Sequence, residues 1–334
     1  MTDRKKDHID LAFKAKLGIE EIDRRFFYEP LMSRHPFSDL GPFQFMNKTM
    51  RAPIWVSSMT GGTQLAGQIN RNLAKVCREF GLGMGLGSCR PILQSDEYFP
   101  DFDMRELIGD DLPFYANLGI AQLEDMVMKG DISPVNRLIE KLRADGLIIH
   151  VNPLQEWLQP EGNRFSQPPI DTIRTYLEMT SYPVIVKEVG QGMGPESLRA
   201  LLELPLEAIE MAAYGGTNFA KVELMRSDEF KQQYYGPVSR IGHDALEMTK
   251  MINEILDSDI SVKCRHIIIS GGVSSFLDGY YLVNLCKLPA IYGQASGFLK
   301  YASQSYDELK KFVEYQVEGI KLANAYFVIK DSVR

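Results

Sequence analysis

Short apolar runs recur along the chain, each closing on small or polar residues and most followed by apolar positions at helical spacing, the pattern of successive βα units. Eight such runs predict strands: Pro53 to Ser57, Gly83 to Leu86, Phe114 to Ala116, Leu147 to Val151, Val184 to Val186, Ala208 to Met211, Ile267 to Ile269 and Ala290 to Tyr292. The second is unusually rich in glycine, and the sixth is short and carries Glu210, both against ordinary strand composition. Between them, Gln68 to Phe80 reads as an amphipathic helix with Ile69, Leu73, Val76, Cys77 and Phe80 on one face and Gly81 as its stop. Ile132 to Ala144 and Ile170 to Met179 follow the same logic. One connection, Ala212 to His266, is much longer than the rest and holds a helix around Asp244 to Leu256; it offers a lid or an oligomer contact.

The first fifty residues lack this rhythm. They predict an extension: a short amphipathic helix carrying Ile9, Ala12 and Phe13, then an irregular stretch punctuated by Pro30, Pro36, Gly41 and Pro42. The expected organisation is an α/β fold, a (β/α)₈ TIM barrel over residues 51–334 behind an N-terminal extension over residues 1–50.

Composition adds limits. Hydrophobic residues make up 45% of the chain and charged residues 24%, enough apolar content for a large core. A net charge of −7 argues against nucleic acid as a partner, so an anionic ligand would need a local basic cluster. The four cysteines, Cys77, Cys89, Cys264 and Cys286, lack zinc-type spacing and read as free thiols of a reducing compartment. With a charged start, MTDRKKDHID, and no apolar run of membrane-spanning length, the expected location is the cytoplasm, with no membrane partner.

Barrel enzymes build their sites from the residues that follow each strand. Here those are Ser57-Ser58-Met59-Thr60-Gly61-Gly62, Gly87-Ser88-Cys89-Arg90, Asn117-Leu118-Gly119, His150-Val151-Asn152-Pro153-Leu154-Gln155-Glu156, Lys187-Glu188-Val189-Gly190, Tyr214-Gly215-Gly216-Thr217, Ser270-Gly271-Gly272 and Gly293-Gln294-Ala295. All are glycine-rich, hydrogen-bonding or charged. The last two fall where barrels often hold a phosphate on backbone N–H groups, an address suited to a phosphate-bearing cofactor. Lys187 follows an apolar strand and needs either an electron-rich ligand such as a flavin edge or a carboxylate such as Glu188 or Glu210.

The order of these strand ends resembles the type 2, flavin-dependent isopentenyl diphosphate isomerase family, over Arg4 to about Leu299. The most specific pieces are Arg4-Lys5-Lys6-Asp7-His8, Met59-Thr60-Gly61-Gly62, His150-Val151-Asn152-Pro153-Leu154-Gln155-Glu156 and Gln159-Pro160-Glu161-Gly162. The resemblance implies interconversion of isopentenyl and dimethylallyl diphosphate, FMN active in its reduced form, NADPH as reductant, Mg²⁺, and a homo-oligomer, tetramer or octamer. FMN would meet Ser58, Met59, Thr60, Ser88, Asn117, Lys187 and Thr217, with its phosphate at Gly272, Val273, Ser274, Ala295 and Ser296. Substrate would meet Arg4, Lys5, His8, Ser88, Cys89, Arg90, Asn152 and Gln155, and Glu156 would bind Mg²⁺. Such a set suits a diphosphate, which needs cationic donors and a hard divalent ion. Read alone, Arg4 to Lys6 is the solvated start of a helix.

Moving the double bond adds a proton at one carbon of an unactivated alkene and removes one from another. The resemblance assigns that step to the flavin, with Gln155 orienting or relaying the proton. His150 reads either as functional or as a packed residue completing its strand. Three positions depart from the family pattern: Cys89 for a glutamine, Ser274 for an arginine, and Tyr214 within a Gly-rich approach. Two other readings are an FMN barrel oxidising 2-hydroxy acids, whose late histidine candidates would be His243 and His266, and a flavin-binding homologue without catalysis.

Overall fold

The computed structural model describes residues 2–58, 63–258 and 260–330, and side chains from residue 7 onward. Ahead of the barrel come β1 (Phe26–Tyr28), β2 (Phe43–Phe45) and β3 (Lys48–Met50). The barrel strands are β4 (Ile54–Val56), β5 (Gly83–Gly85), β6 (Phe114–Gly119), β7 (Gly146–His150), β8 (Val184–Lys187), β9 (Ala208–Glu210), β10 (His266–Ser270) and β11 (Ala290–Gln294), and β12 (Phe327–Ile329) ends the series. All eight expected strands are present. Each is parallel to its neighbours in chain order, and β11 pairs with β4, Tyr292 opposite Ile54, to close the ring.

Alternation along the strands divides the core in two. Ile54, Val56, Leu147, Ile149, Val184, Val186, Ile267 and Ile269 point outward and are buried under the surrounding helices. Trp55, Tyr115, Ile148, Ile185, Ala208, Ile268 and Ile291 fill the interior. Trp55 explains the glycines of β5: a Cβ at Gly83 would lie 2.5 Å from its ring. The composition that argues against a strand therefore records a large indole across the barrel.

The helix Gln64–Phe80 starts four residues before its expected bound, because Thr63 caps it by accepting from Ala66 N, and it stops at Gly81 with φ +73°. Asn218, Asp228 and Asp244 likewise cap three helices of the long connection, Phe219–Met225, Glu229–Tyr235 and Ala245–Leu256.

The stretch expected to be irregular, marked by Pro30, Pro36, Gly41 and Pro42, carries no helix or strand over residues 29–42, but short strands flank it. β1 pairs antiparallel with β12, and β2 and β3 form a hairpin whose turn residues Met46 and Asn47 take φ of +51° and +58°. A two-residue hairpin of that hand normally uses Asn-Gly, so Met46 is a costly choice. Burial compensates: Met46, Phe45 and Met50 join the interior cluster and close the base of the barrel. The proline-marked stretch is irregular as expected; the three-residue strands on either side of it are too short to leave a period in the sequence. Helix Thr2–Ala12 does form, and from residue 7 all its side chains are exposed, Ile9 included.

Candidate active site

Loops after β4, β8, β9, β10 and β11 surround a cavity of about 350 Å³ at the C-terminal face. Among its lining residues, Ser58 Oγ and Gln294 Oε1 are buried without a protein hydrogen-bond partner, and the buried Ser57 hydroxyl and Glu210 carboxyl adjoin one another there. Buried polar atoms are rarely left so, and their clustering at one cavity marks it as built for a ligand that supplies partners.

Lys187 ends β8 inside this cavity, its Nζ donating to Glu188 O at 2.9 Å. Glu188 does not pair with it directly, because Glu188 Oε2 accepts from the N–H groups of Gly190, Gln191 and Gly192 at 2.7, 2.6 and 3.0 Å and fixes the following loop. Glu210 accepts from Ser270 Oγ at 3.2 Å. Burial pulls the Lys187 ammonium down from its ordinary pKa, opposed by the charges of Glu210 and Glu188. Burial likewise raises Glu210, opposed by Lys187. The lysine thus reaches the cavity with Glu188 and Glu210 as its neighbouring carboxylates.

One step around the barrel, Asn117 Nδ2 donates to Leu86 O at 2.9 Å, which turns its Oδ1 to His150 Nδ1 at 2.8 Å. An amide oxygen only accepts, so His150 carries its proton on Nδ1 and leaves Nε2 as a free acceptor. Burial, then the charge of Lys187 beside it, lowers the His150 pKa to about 3. His150 completes β7 in register with Lys187, and its Nε2 is left neutral.

After β7 the helix Pro153–Leu158 carries the amide and acid of the family motif. Asn152 Nδ2 donates to Gln155 Oε1 at 3.1 Å and to Glu156 Oε1 at 3.2 Å, while Glu156 Oε2 accepts from Asn163 N at 2.6 Å. Gln155 Nε2 donates to Glu223 Oε1 at 3.1 Å, and Arg226 Nη1 holds the other Glu223 oxygen at 2.8 Å. Glu223, buried on the helix Phe219–Met225, was missed in the sequence; only the folded long connection brings it to Gln155.

Gly272, Val273, Ser274, Ala295 and Ser296, the residues expected at the phosphate, all line the cavity, and so does Thr217. Gly271 and Gly272 take φ of +86° and +70°, and a Cβ at Gly271 would lie 2.1 Å from Ala213 O, so the loop needs glycine to pack there. Ser274, however, turns its N–H and hydroxyl to Asp278 Oδ2, at 3.1 and 2.7 Å. The cation at this end is Lys300, which also went unnoticed in the sequence.

Other expected residues stand apart. Met59 and Thr60, and the side chains of Arg4 and Lys5, lie outside the described residues. His8 and Ser88 are exposed and absent from the cavity lining. Arg90 lines a separate groove with Gln122, Lys129 and Asn163. Cys89 points into the core, its Sγ 3.4 Å from Gly87 O and its thiol pushed up to about 12 by burial, while its N–H donates to Asn117 O. Tyr214 lies outside the cavity lining, its position close enough to Gly242 that a Cβ there would meet the ring at 2.9 Å.

No protein-family model matches the chain. Curated relatives do: it is 34% identical over 327 residues to the isopentenyl-diphosphate delta-isomerase of Rickettsia africae, covering 96% of this chain and 92% of that one. The chain belongs to the isopentenyl-diphosphate delta-isomerase family. The isomerase of Rickettsia prowazekii is 32% identical over the same length and the same shares. In fold, the chain resembles flavocytochrome b2 with pyruvate bound, at TM-score 0.61 and 13% identity over 90% of this chain and 72% of that one. It also resembles a mandelate oxidase with a monooxide FMN adduct, at TM-score 0.55 and 14% identity over 90% and 82%. These isomerase relatives and barrel neighbours together fit the type 2 branch that the strand ends resemble.

Proposed function

We propose that this isomerase interconverts isopentenyl and dimethylallyl diphosphate with reduced FMN in the barrel cavity, NADPH as reductant, and Mg²⁺ on the substrate diphosphate. The observation that carries the reading is the clustering of partnerless buried polar atoms around a cavity entered by Lys187 and closed at one end by the Gly271-Gly272 loop. These residues suit FMN: Ser57, Ser58 and Gln294 offer hydrogen bonds, Lys187 meets an electron-rich edge, and Gly272, Val273, Ala295 and Ser296 lie at the phosphate end with Lys300. When bound, reduced FMN supplies the acid and base for an unactivated alkene.

The chain's own contribution is orientation. Asn152 and Glu223 hold the Gln155 amide from both sides, which fixes its orientation. A neutral amide is a poor acid or base, but Glu223 behind it is a carboxylate through which a proton can pass. His150 Nε2 is held as an acceptor. Glu156 supports Mg²⁺ as a single carboxylate, in keeping with an ion that takes one or two carboxylates and bridges phosphate oxygens. Arg4, Lys5, His8 and Arg90 would complete the diphosphate site. The exposed apolar side chains of Ile9, Phe13, Leu17, Leu31, Met32 and Phe37 support a homo-oligomer.

Oxidation of a 2-hydroxy acid fits less well. His266 sits at the opposite end of β10, its Nδ1 2.9 Å from Glu207 O and its ring against Phe45, and His243 faces Glu247 at 3.0 Å. Neither histidine lines the cavity. The deciding experiment assays the purified protein anaerobically with isopentenyl diphosphate and Mg²⁺, with and without reduced FMN, while recording the flavin spectrum. Isomerisation only with reduced flavin is expected; full activity of flavin-free protein would overturn the cofactor assignment.

A further inference from the structure

The loop that follows β10 is governed from behind by one carboxylate. Asp278 Oδ2 accepts from Ser274 N and Oγ at 3.1 and 2.7 Å and from Ser275 N and Oγ at 3.0 Å each. Four donors of the loop are thereby turned away from the cavity, although Ser274 itself lines it. The other oxygen, Asp278 Oδ1, accepts from Arg25 Nη1 at 2.9 Å. Arg25 comes from the segment ahead of the barrel, just before β1, some 250 residues away in sequence. Its place is fixed on every side: Nε and Nη2 donate to Asp23 at 2.9 and 2.7 Å, and the guanidinium lies 5.3 Å from the Tyr281 ring centroid.

An aspartate bonded to the back of the wall proposed to bind phosphate presents a problem of sign. Its negative charge repels a phosphate dianion, and in a partly buried setting that repulsion is poorly screened. Arg25 answers it by pairing with the same carboxylate and by keeping it aimed at Ser274 and Ser275. We propose that Arg25 is a positioning residue for the cofactor phosphate: shared between Asp23 and Asp278, it offsets part of the Asp278 charge and holds that carboxylate on the Ser274-Ser275 loop, so that a segment outside the barrel tunes phosphate affinity inside it. This rests on the FMN reading above.

The test compares FMN with riboflavin, which lacks the phosphate, by quenching of flavin fluorescence. Arg25→Ala should weaken FMN binding by about tenfold, an effect of the size of one ion pair, while leaving riboflavin binding unchanged. Arg25→Lys should recover most of the loss, and so should Arg25→Ala combined with Asp278→Asn, which removes the charge that needs screening. Equal losses for FMN and riboflavin, or unchanged FMN binding in Arg25→Ala, would overturn the proposal while leaving the FMN assignment standing. Wild-type protein that binds neither flavin would remove that assignment, and this inference with it.

Discussion

His150 Nδ1 lies 2.8 Å from Asn117 Oδ1, and because Asn117 is oriented by Leu86 O the imidazole is committed to one neutral tautomer. Nitrogen-edited NMR should show a proton on Nδ1 and a bare Nε2 down to about pH 4, given a pKa lowered to about 3. The folded pKa lies below the unfolded value of about 6.5, so the unfolded chain binds the extra proton first. Stability from this group is therefore complete above about pH 6.5 and is lost as pH falls toward 3. His150→Asn should flatten that acid limb in thermal melts; an unchanged limb would assign it to other groups.

Gln155 and Glu223 form the second testable pair. Glu223→Gln keeps shape and removes the charge, and should lower the isomerase rate by about a hundredfold, the lower range of general acid–base effects, with flavin binding unaltered. A rate within about twofold of wild type would exclude Glu223 as the group behind Gln155, since even weak acid–base roles exceed that.

Glu156 carries both structure and proposed metal binding, because Asn152 and Asn163 N already use its oxygens. Glu156→Gln should raise the Mg²⁺ concentration for half-maximal rate by about tenfold, the loss expected of one charged ligand. Activity titrated against Mg²⁺ measures this directly. An unmoved midpoint would take Glu156 out of the metal's reach.

Lys300, an exposed residue, lines the cavity beside the residues proposed to hold the phosphate. Lys300→Met should weaken FMN by about three- to tenfold, and the loss should shrink as salt rises, as expected of a partly screened charge. Riboflavin serves as the control that a packing defect would not pass.

Strand order and the closed ring were legible because eight apolar runs each carry a period that only a βα series explains. Even the two least typical runs, at Gly83 and Glu210, proved to be strands, one thinned by Trp55 and the other buried against Lys187. What escaped was anything made by long-range contact. Three-residue strands such as β1 have no period to detect. Glu223 on one connection gave no sign of meeting Gln155 on another, and Arg25 gave none of reaching Asp278. The departures from family pattern were visible as letters, but their meaning was not. Cys89 became a core residue, Tyr214 packed outside the cavity and Ser274 was taken by Asp278.

Phe45, Met46 and Met50 stop the base of the barrel as a cork stops a bottle. A chain cut to begin at residue 51 would lose them and wet the undersides of Trp55, Ile148 and Ile268. The eight strands would then have to close around an open-ended interior. Any attempt to pare this enzyme to its repeating units, or to permute its termini, must carry residues 43–50 along.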